Sequence, residues 1–272
     1  MKPFLKWPGG KYRLVRRIRA ALRPGKRLIE PFTGSAAVFL NTDYANYVLA
    51  DSNNDLIALY VQLVEEGESF IHYCRSLFVV RNNSKERFYA LRSEFNATTE
   101  TRRRGALFLY LNRHCYNGLC RYNRSGKFNT PFGSYVRPYF PAVEMRAFAR
   151  AARRVRFVHA GFRESMQMAR RGDVVYCDPP YVPLSRTAYF TDYDAHGFGW
   201  AEQEELAGMA KRLTRRGVQV VISNHDTDDI RRLYQAANAR IEQFRVQRNI
   251  SCDGARRERV GELIAVFEKG SE

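Results

Sequence analysis

Hydrophobic positions recur along this chain with two different spacings. Leu14, Ile18 and Leu22 share one helical face and predict a helix over 11–22. Short apolar runs at 27–31 and 47–51 predict strands, and the periodic stretch 53–64 predicts the helix that follows them. Further runs at 155–159, 174–177 and 218–223 predict strands separated by helical patterns, notably 201–213. Strands alternating with helices imply a mostly parallel sheet covered on both faces. Two late β-rich stretches, 241–246 and 260–267, predict an antiparallel hairpin closing the sheet's edge.

Between 60 and 139 this alternation breaks. Phe88, Leu91 and Phe95 lie on one helical face and 106–111 is apolar, whereas 112–139 is polar, aromatic and rich in glycine. We read 60–139 as a mainly helical domain inserted between two strands of an α/β domain made of 1–59 and 140–272. No internal repeat or low-complexity tract is visible.

Charge changes the picture most. Lys plus Arg number 45 against 28 Asp plus Glu, a formal charge of +17, which creates a long-range positive field suited to polyanions, nucleic acid first. A solvated basic surface or an anionic membrane are the alternatives. The 272 residues, 45% of them hydrophobic, suffice for one large domain or one domain carrying an insertion. No apolar run is long enough to span a bilayer and no signal peptide is expected, since Met1-Lys2-Pro3 runs straight into motif-like sequence. The five cysteines (Cys74, Cys115, Cys120, Cys177, Cys252) are scattered without a C-x-x-C pair, as are the five histidines. Neither zinc nor a disulfide framework is expected, and a reducing cytoplasm is the default location.

Candidate chemistry centres on Asp178-Pro179-Pro180-Tyr181. The run Val174-Val175-Tyr176-Cys177 predicts a short buried strand that the two prolines cannot continue, because they lack the N–H a ladder needs. The chain must leave the sheet at its carboxyl edge, where open α/β sheets bind ligands. A carboxylate, backbone carbonyls and an aromatic face in one turn can grip a flat base by its exocyclic amine. The plain alternative is a proline-rich turn.

A second constellation is Ile29-Glu30-Pro31-Phe32-Thr33-Gly34-Ser35-Ala36, a glycine turn between the first strand and an apolar helix. Seventeen residues beyond Gly34, Asp51 ends the second strand, the usual distance for an acid that bonds a nucleoside cofactor's ribose hydroxyls. Asp51 can equally cap the helix beginning near Asn53. The Trp7-Pro8-Gly9-Gly10-Lys11 stretch can admit an anionic group at a helix start, with Trp7 as a wall, or be a simple Pro-Gly turn. The stretch 110–123 mixes Arg, Asn and Tyr with little apolar periodicity. Arginine suits guanine O6 and N7, asparagine suits base edges, and aromatics wedge between base steps. Arg124, Lys127 and Arg137 follow as phosphate-contact candidates; the alternative is a polar loop with surface tyrosines.

These residues reach a known family. The chain resembles the Dam-type DNA adenine N6-methyltransferases in FLKWPGGK at 4–11, EPFTGSAAVFLN at 30–41, LADSNNDLIALY at 49–60 and FLYLNRHCYNGLCRYN at 108–123. FNTPFGSY at 128–135, VVYCDPPYVPLS at 174–185 and VVISNHDT at 220–227 complete the series in the family's order. The resemblance implies S-adenosylmethionine as methyl donor, duplex DNA containing GATC as substrate, and a Rossmann-like methyltransferase sheet with the target-recognition domain inserted. The expected location is the bacterial nucleoid or the phage-infected cell; a monomer is expected, although the sequence does not give the oligomeric state, and no metal is expected. Trp7, Lys11, Phe32, Asp51, Phe162 and Asp178 match the family's cofactor-contacting positions, joined by Gly34 of the turn. Lys6 stands where the family reads the first guanine, Leu119 and Pro131 where it meets the thymine of the third pair, and Arg121 where it reads the last guanine. Tyr116 and Asn117 match residues inserted near the vacated adenine position. Arg92, Asn123 and Asn129 match phosphate-side contacts, and Tyr135 closes the last recognition block.

Three positions depart from the family pattern: Ala36 replaces the second glycine of the turn, and Ser134 and Val136 replace basic residues. Nothing is inferred from the divergent stretch 193–198. Methyltransferases acting on RNA or on protein glutamine amides are the first rival; they more often carry Asn where Asp178 stands and lack the 116–121 block. A non-catalytic DNA-binding relative is the second, and intact Asp178, Tyr181 and Asp51 argue against it.

Overall fold

The computed structural model describes residues 1–181, 198–247 and 259–269. The end of the VVYCDPPYVPLS block at 182–185, the divergent stretch up to 197 and Cys252 lie outside them. A 3-10 turn at Lys11–Leu14 leads into α1 (Val15–Ala21), β1 (Arg27–Glu30) and β2 (Asn46–Asp51). Helices α2 (Asn54–Glu66), α3 (Glu68–Arg75), α4 (Lys85–Ala97), α5 (Thr101–His114) and α6 (Ala142–Ala151) then precede β3 (Val155–His159). The chain continues through α7 (Phe162–Gln167), β4 (Val174–Cys177), α8 (Trp200–Arg215), β5 (Gln219–His225), α9 (Asp228–Ala236), β6 (Arg240–Gln247) and β7 (Arg259–Phe267).

The seven strands are ordered β3-β2-β1-β4-β5-β7-β6. β2 and β3 pair in parallel, as do β1 with β4 and β4 with β5. β7 runs antiparallel to both β5 and β6, so the late hairpin closes the edge as the sequence predicts. This is a mixed α/β, Rossmann-like sheet. The expected helix over 11–22 is shorter: its first four residues are a 3-10 turn, a common way to start a helix.

By compactness the chain forms two units. The first comprises Met1–Arg16, Thr33–Asp43 and Tyr47–His159. Its core is aromatic: Tyr60 on α2 stacks on Phe148 of α6 at 4.6 Å, and Phe4 meets both rings edge-on. The segment 106–111 on α5 is buried all round, as its unbroken apolar character demands. Phe88, Leu91 and Phe95 turn one face of α4 inward.

The second unit comprises Arg17–Phe32, Tyr44–Asn46 and Ala160–Glu272. Every residue of β4 and β5 is buried, which is why β4 and the centre of β5, Val220 to Ile222, read as apolar runs without alternation, while Gln219, Ser223, Asn224 and His225 are buried polar positions. Helix α8 supplies an apolar stripe, Leu206, Ala207, Ala210 and Leu213, interrupted at its start by buried Gln203.

Candidate active site

In the first unit, β2 delivers Asp51 to the strand's end. Its Oδ2 accepts the Gly34 amide at 3.0 Å and its Oδ1 accepts the Asn53 amide at 2.9 Å. Asn53 in turn caps α2 by accepting from the Leu56 amide. The cap of α2 therefore belongs to Asn53 and not to Asp51, which instead ties the glycine turn to the start of α2. Burial pushes its carboxyl up from the ordinary range, while the Gly34 and Asn53 amides and His159 pull it back.

Gly34 sits in the left-handed region at φ 47, and a Cβ there would lie 2.7 Å from the Trp7 indole nitrogen. Only glycine lets that ring lie against the backbone. Tyr60 fixes the turn from behind, donating its hydroxyl to the Gly34 carbonyl at 2.6 Å. Ala36 also has positive φ, 58, with its methyl buried, so the substituted glycine position keeps a glycine-like backbone. Lys11 is buried, and its ammonium donates to the Gly9 carbonyl at 2.6 Å.

In the second unit, Phe32 stacks on Phe162 at 5.8 Å. Phe198 meets both edge-on, each at 5.5 Å. Phe198 belongs to the divergent stretch, and a lone aromatic there gave no sequence signal. The chain leaves β4 at Asp178. The Pro180 carbonyl accepts the Gln203 amide at 3.0 Å, and Tyr181 packs edge-on against His225 at 4.5 Å. The Tyr181 hydroxyl donates to Glu262 at 3.4 Å. Burial, then the charges of Asp178 and Glu262, push this phenol well above its usual range, so it stays protonated. Cys177, next to Asp178, is a buried thiol also pushed up, which makes it inert as a nucleophile.

The recognition block, in the first unit, forms an arm after α5. Cys115 bridges Phe132 and Tyr122 bridges Phe128, both antiparallel. Asn123 holds the arm's tip, its side-chain oxygen accepting from Ser125 and Lys127 amides. Arg121 is exposed, and its Nε donates to the Asn129 side chain at 2.8 Å. Arg92 donates to the Thr130 carbonyl at 3.1 Å and lies over Tyr89. Tyr116 and Asn117 are exposed at the arm's base, where the Asn117 amide donates to the Tyr135 hydroxyl at 3.0 Å. The Lys6 ammonium lies 3.7 Å from the Tyr135 ring centre, and its stem packs on Gly118. Burial and then Arg113 push the Lys6 ammonium below its ordinary range. Leu119 is half-buried, while Pro131, Ser134 and Val136 are exposed. Asn112, which sequence reasoning gave no role, brackets the Lys6 backbone, accepting its N–H at 2.9 Å and donating to its C=O at 2.6 Å. A buried asparagine at the end of an apolar helix was its signal.

Among the described residues no group of three His, Cys, Asp or Glu could hold a metal ion. No helix among them is long and apolar enough to cross a membrane.

The strand order β3-β2-β1-β4-β5-β7-β6 with an antiparallel β7 makes a Rossmann-like α/β sheet, and the family match gives the class, a methyltransferase. Residues 7–250 match the model of the D12 class of N6 adenine-specific DNA methyltransferases, and the chain belongs to that family. It is 50% identical to the DNA adenine methylase of Serratia marcescens, over 98% of this chain and 98% of that protein. Identity to the DNA adenine methylase of Vibrio cholerae is 47%, over 98% of this chain and 96% of that protein. With that of Escherichia coli K12 it is 46%, over 99% and 96%. The protein is accordingly a DNA adenine methyltransferase, and DNA is its substrate.

Proposed function

We propose that this enzyme methylates N6 of adenine within GATC in duplex DNA, using S-adenosylmethionine and acting on an adenine extruded from the stack. The observation that carries this reading is the turn 178–181 at the end of a fully buried strand, with its backbone and its aromatic ring both held. N6 lies inside the base-paired stack, so a carboxylate on a protein turn reaches it only after extrusion.

The residues present suit the cofactor. Asp51 spends two acceptor sites on the Gly34 and Asn53 amides, and a carboxylate has about four, leaving two for ribose hydroxyls. The glycine turn against Trp7 permits close backbone approach, Lys11 offers a cation, and Phe32 with Phe162 offers aromatic faces. When bound, S-adenosylmethionine supplies a methyl group already activated by its sulfonium centre.

The chain's own work is orientation and electrostatics. Adenine N6 is a poor nucleophile because its lone pair is delocalised into the ring. Asp178 and the Pro179 carbonyl each accept one N6 hydrogen, which favours a pyramidal nitrogen with a localised lone pair. The Asp178 charge also stabilises the positive charge that develops on N6. The Pro180 ring restricts the turn's backbone, and Tyr181 stacks on the extruded base.

Residues 60–139 carry target recognition, and 1–59 with 140–272 carry transfer. Lys6 reads the first guanine and Arg121 the last, with Leu119 and Pro131 on the third-pair thymine. Tyr116 and Asn117 fill the vacated position. Arg92, Asn123, Asn129 and Tyr135 support the backbone path. We place the enzyme in the cytoplasm, as a monomer. The test is to express the chain in a host lacking adenine methylation and sequence the methylome. N6-methyladenine confined to GATC is expected; a different motif, or none in a host making folded protein, overturns the reading.

A further inference from the structure

Gln203 breaks the apolar stripe of α8, yet it is buried with 1% exposure. A polar amide on a core face persists where its bonds are all made. Its Nε2 donates to the Pro180 carbonyl at 3.0 Å. Its Oε1 accepts from Asn224 Nδ2 at 3.0 Å and from the Tyr234 hydroxyl at 3.4 Å. A carbonyl can only accept, so the amide's orientation is fixed. Asn224, fully buried on β5, also accepts the His225 amide at 2.8 Å, and the His225 ring packs against Tyr181. One buried asparagine thus stands behind both the backbone and the aromatic ring of the turn.

We propose that Gln203, backed by Asn224, is a positioning residue for methyl transfer: by holding the Pro180 carbonyl it sets the direction of the Pro179 carbonyl. The Pro180 ring locks φ, so ψ of Pro180 is the only soft torsion between the anchored carbonyl and the one assigned to the substrate amine. The inference rests on the assignment of 178–181 as the reacting turn.

The test is single-turnover methylation of duplex DNA by the full chain, with both substrates saturating, alongside binding titrations of each. Gln203→Met, similar in length but without a donor, is expected to slow transfer roughly 10–100-fold, as misplacement by about 1 Å does, while both affinities hold. Gln203→Asn retains the amide on a shorter arm and should slow transfer too, which covers failure of the first variant to fold. Leu213→Ala, about 15 Å along the same helix, serves as the stability control and should keep the wild-type rate while folded. Wild-type transfer by either folded Gln203 variant overturns the proposal, as does slowing by Leu213→Ala to the same extent. Asp178→Ala in the same assay separates the two claims. Turnover there sinks the assignment of the turn itself, whereas its loss beside a normal Gln203 variant sinks only the positioning role.

Discussion

At the scale of single residues, Asp178 carries the proposed methyl transfer and Arg121 the proposed sequence reading. Asp178→Ala should cut the transfer rate by about 10²–10³ or more, since it removes an acceptor aimed at charge that develops during reaction. Circular dichroism should show the variant folded, and a near-normal rate under saturating cofactor would refute the role. Arg121 is exposed and its Nε donates to the Asn129 side chain; the proposed role is to read a guanine edge. Loss of a bidentate contact costs roughly 1–3 kcal/mol of discrimination at one pair, so Arg121→Ala should raise methylation of GATN relative to GATC. A fall by one common factor over all sequences would make it a backbone anchor instead. The residues proposed for these roles stand out in the sequence because their types are chemically narrow: an acid at a strand end, two prolines, an arginine among asparagines. Their supports, Gln203, Asn224, Glu262 and Asn112, do not. They touch the site only through folding, and an amide on an apolar stripe names no partner.

At the scale of elements, buried strands and amphipathic helices could be read directly. β4 is an unbroken buried run and β5 has an apolar centre, Val220 to Ile222, because both faces of these strands are covered, and α4 announces itself by one inward face. The recognition arm had no such pattern. Its antiparallel pairing is held by backbone bonds and by polar side chains such as Asn96, which brackets Phe128, and Tyr122, which reaches Asp55 at 2.7 Å. Helix α7 lies between 155–159 and 174–177, where the alternation predicts a helical pattern, but six residues are too few to mark its bounds in the sequence. The arm's root gives an acid-sensitive point. His114, at the end of α5, is buried, donates from Nδ1 to the Tyr110 carbonyl at 2.8 Å and stacks on the Tyr110 ring. Burial first, then the nearby Lys6 and Arg113 charges, push its imidazole down from 6.5 to about 4. Below pH 6.5 the unfolded chain takes up a proton there that the folded chain refuses. The stability contributed by the neutral ring is therefore whole above that pH and lost as pH falls towards 4, on the order of 3 kcal/mol. Urea denaturation of wild type and His114→Asn from pH 7 to pH 4 should show the wild-type advantage shrinking. A constant difference would contradict the assignment.

At the scale of the whole molecule, the +17 charge governs how DNA is approached. Binding should weaken steeply with salt, because each neutralised phosphate releases a counterion. Arg92→Ala should lower affinity for all sequences alike and flatten the salt slope by about one. Arg92 also donates to the Thr130 carbonyl, so an unchanged slope with a lowered unfolding midpoint would assign it to the arm's structure. The central claim, that this chain transfers a methyl group to N6 of adenine in GATC, is tested most directly with labelled S-adenosylmethionine and purified protein. Duplexes carrying GATC, and every single-pair variant of it, are methylated under initial-rate conditions, and the product nucleoside is identified by mass spectrometry. The account predicts N6-methyldeoxyadenosine, formed fastest at GATC and far more slowly when either guanine-bearing end pair is changed. Equal rates across the set, or methyl groups on another base, would contradict it.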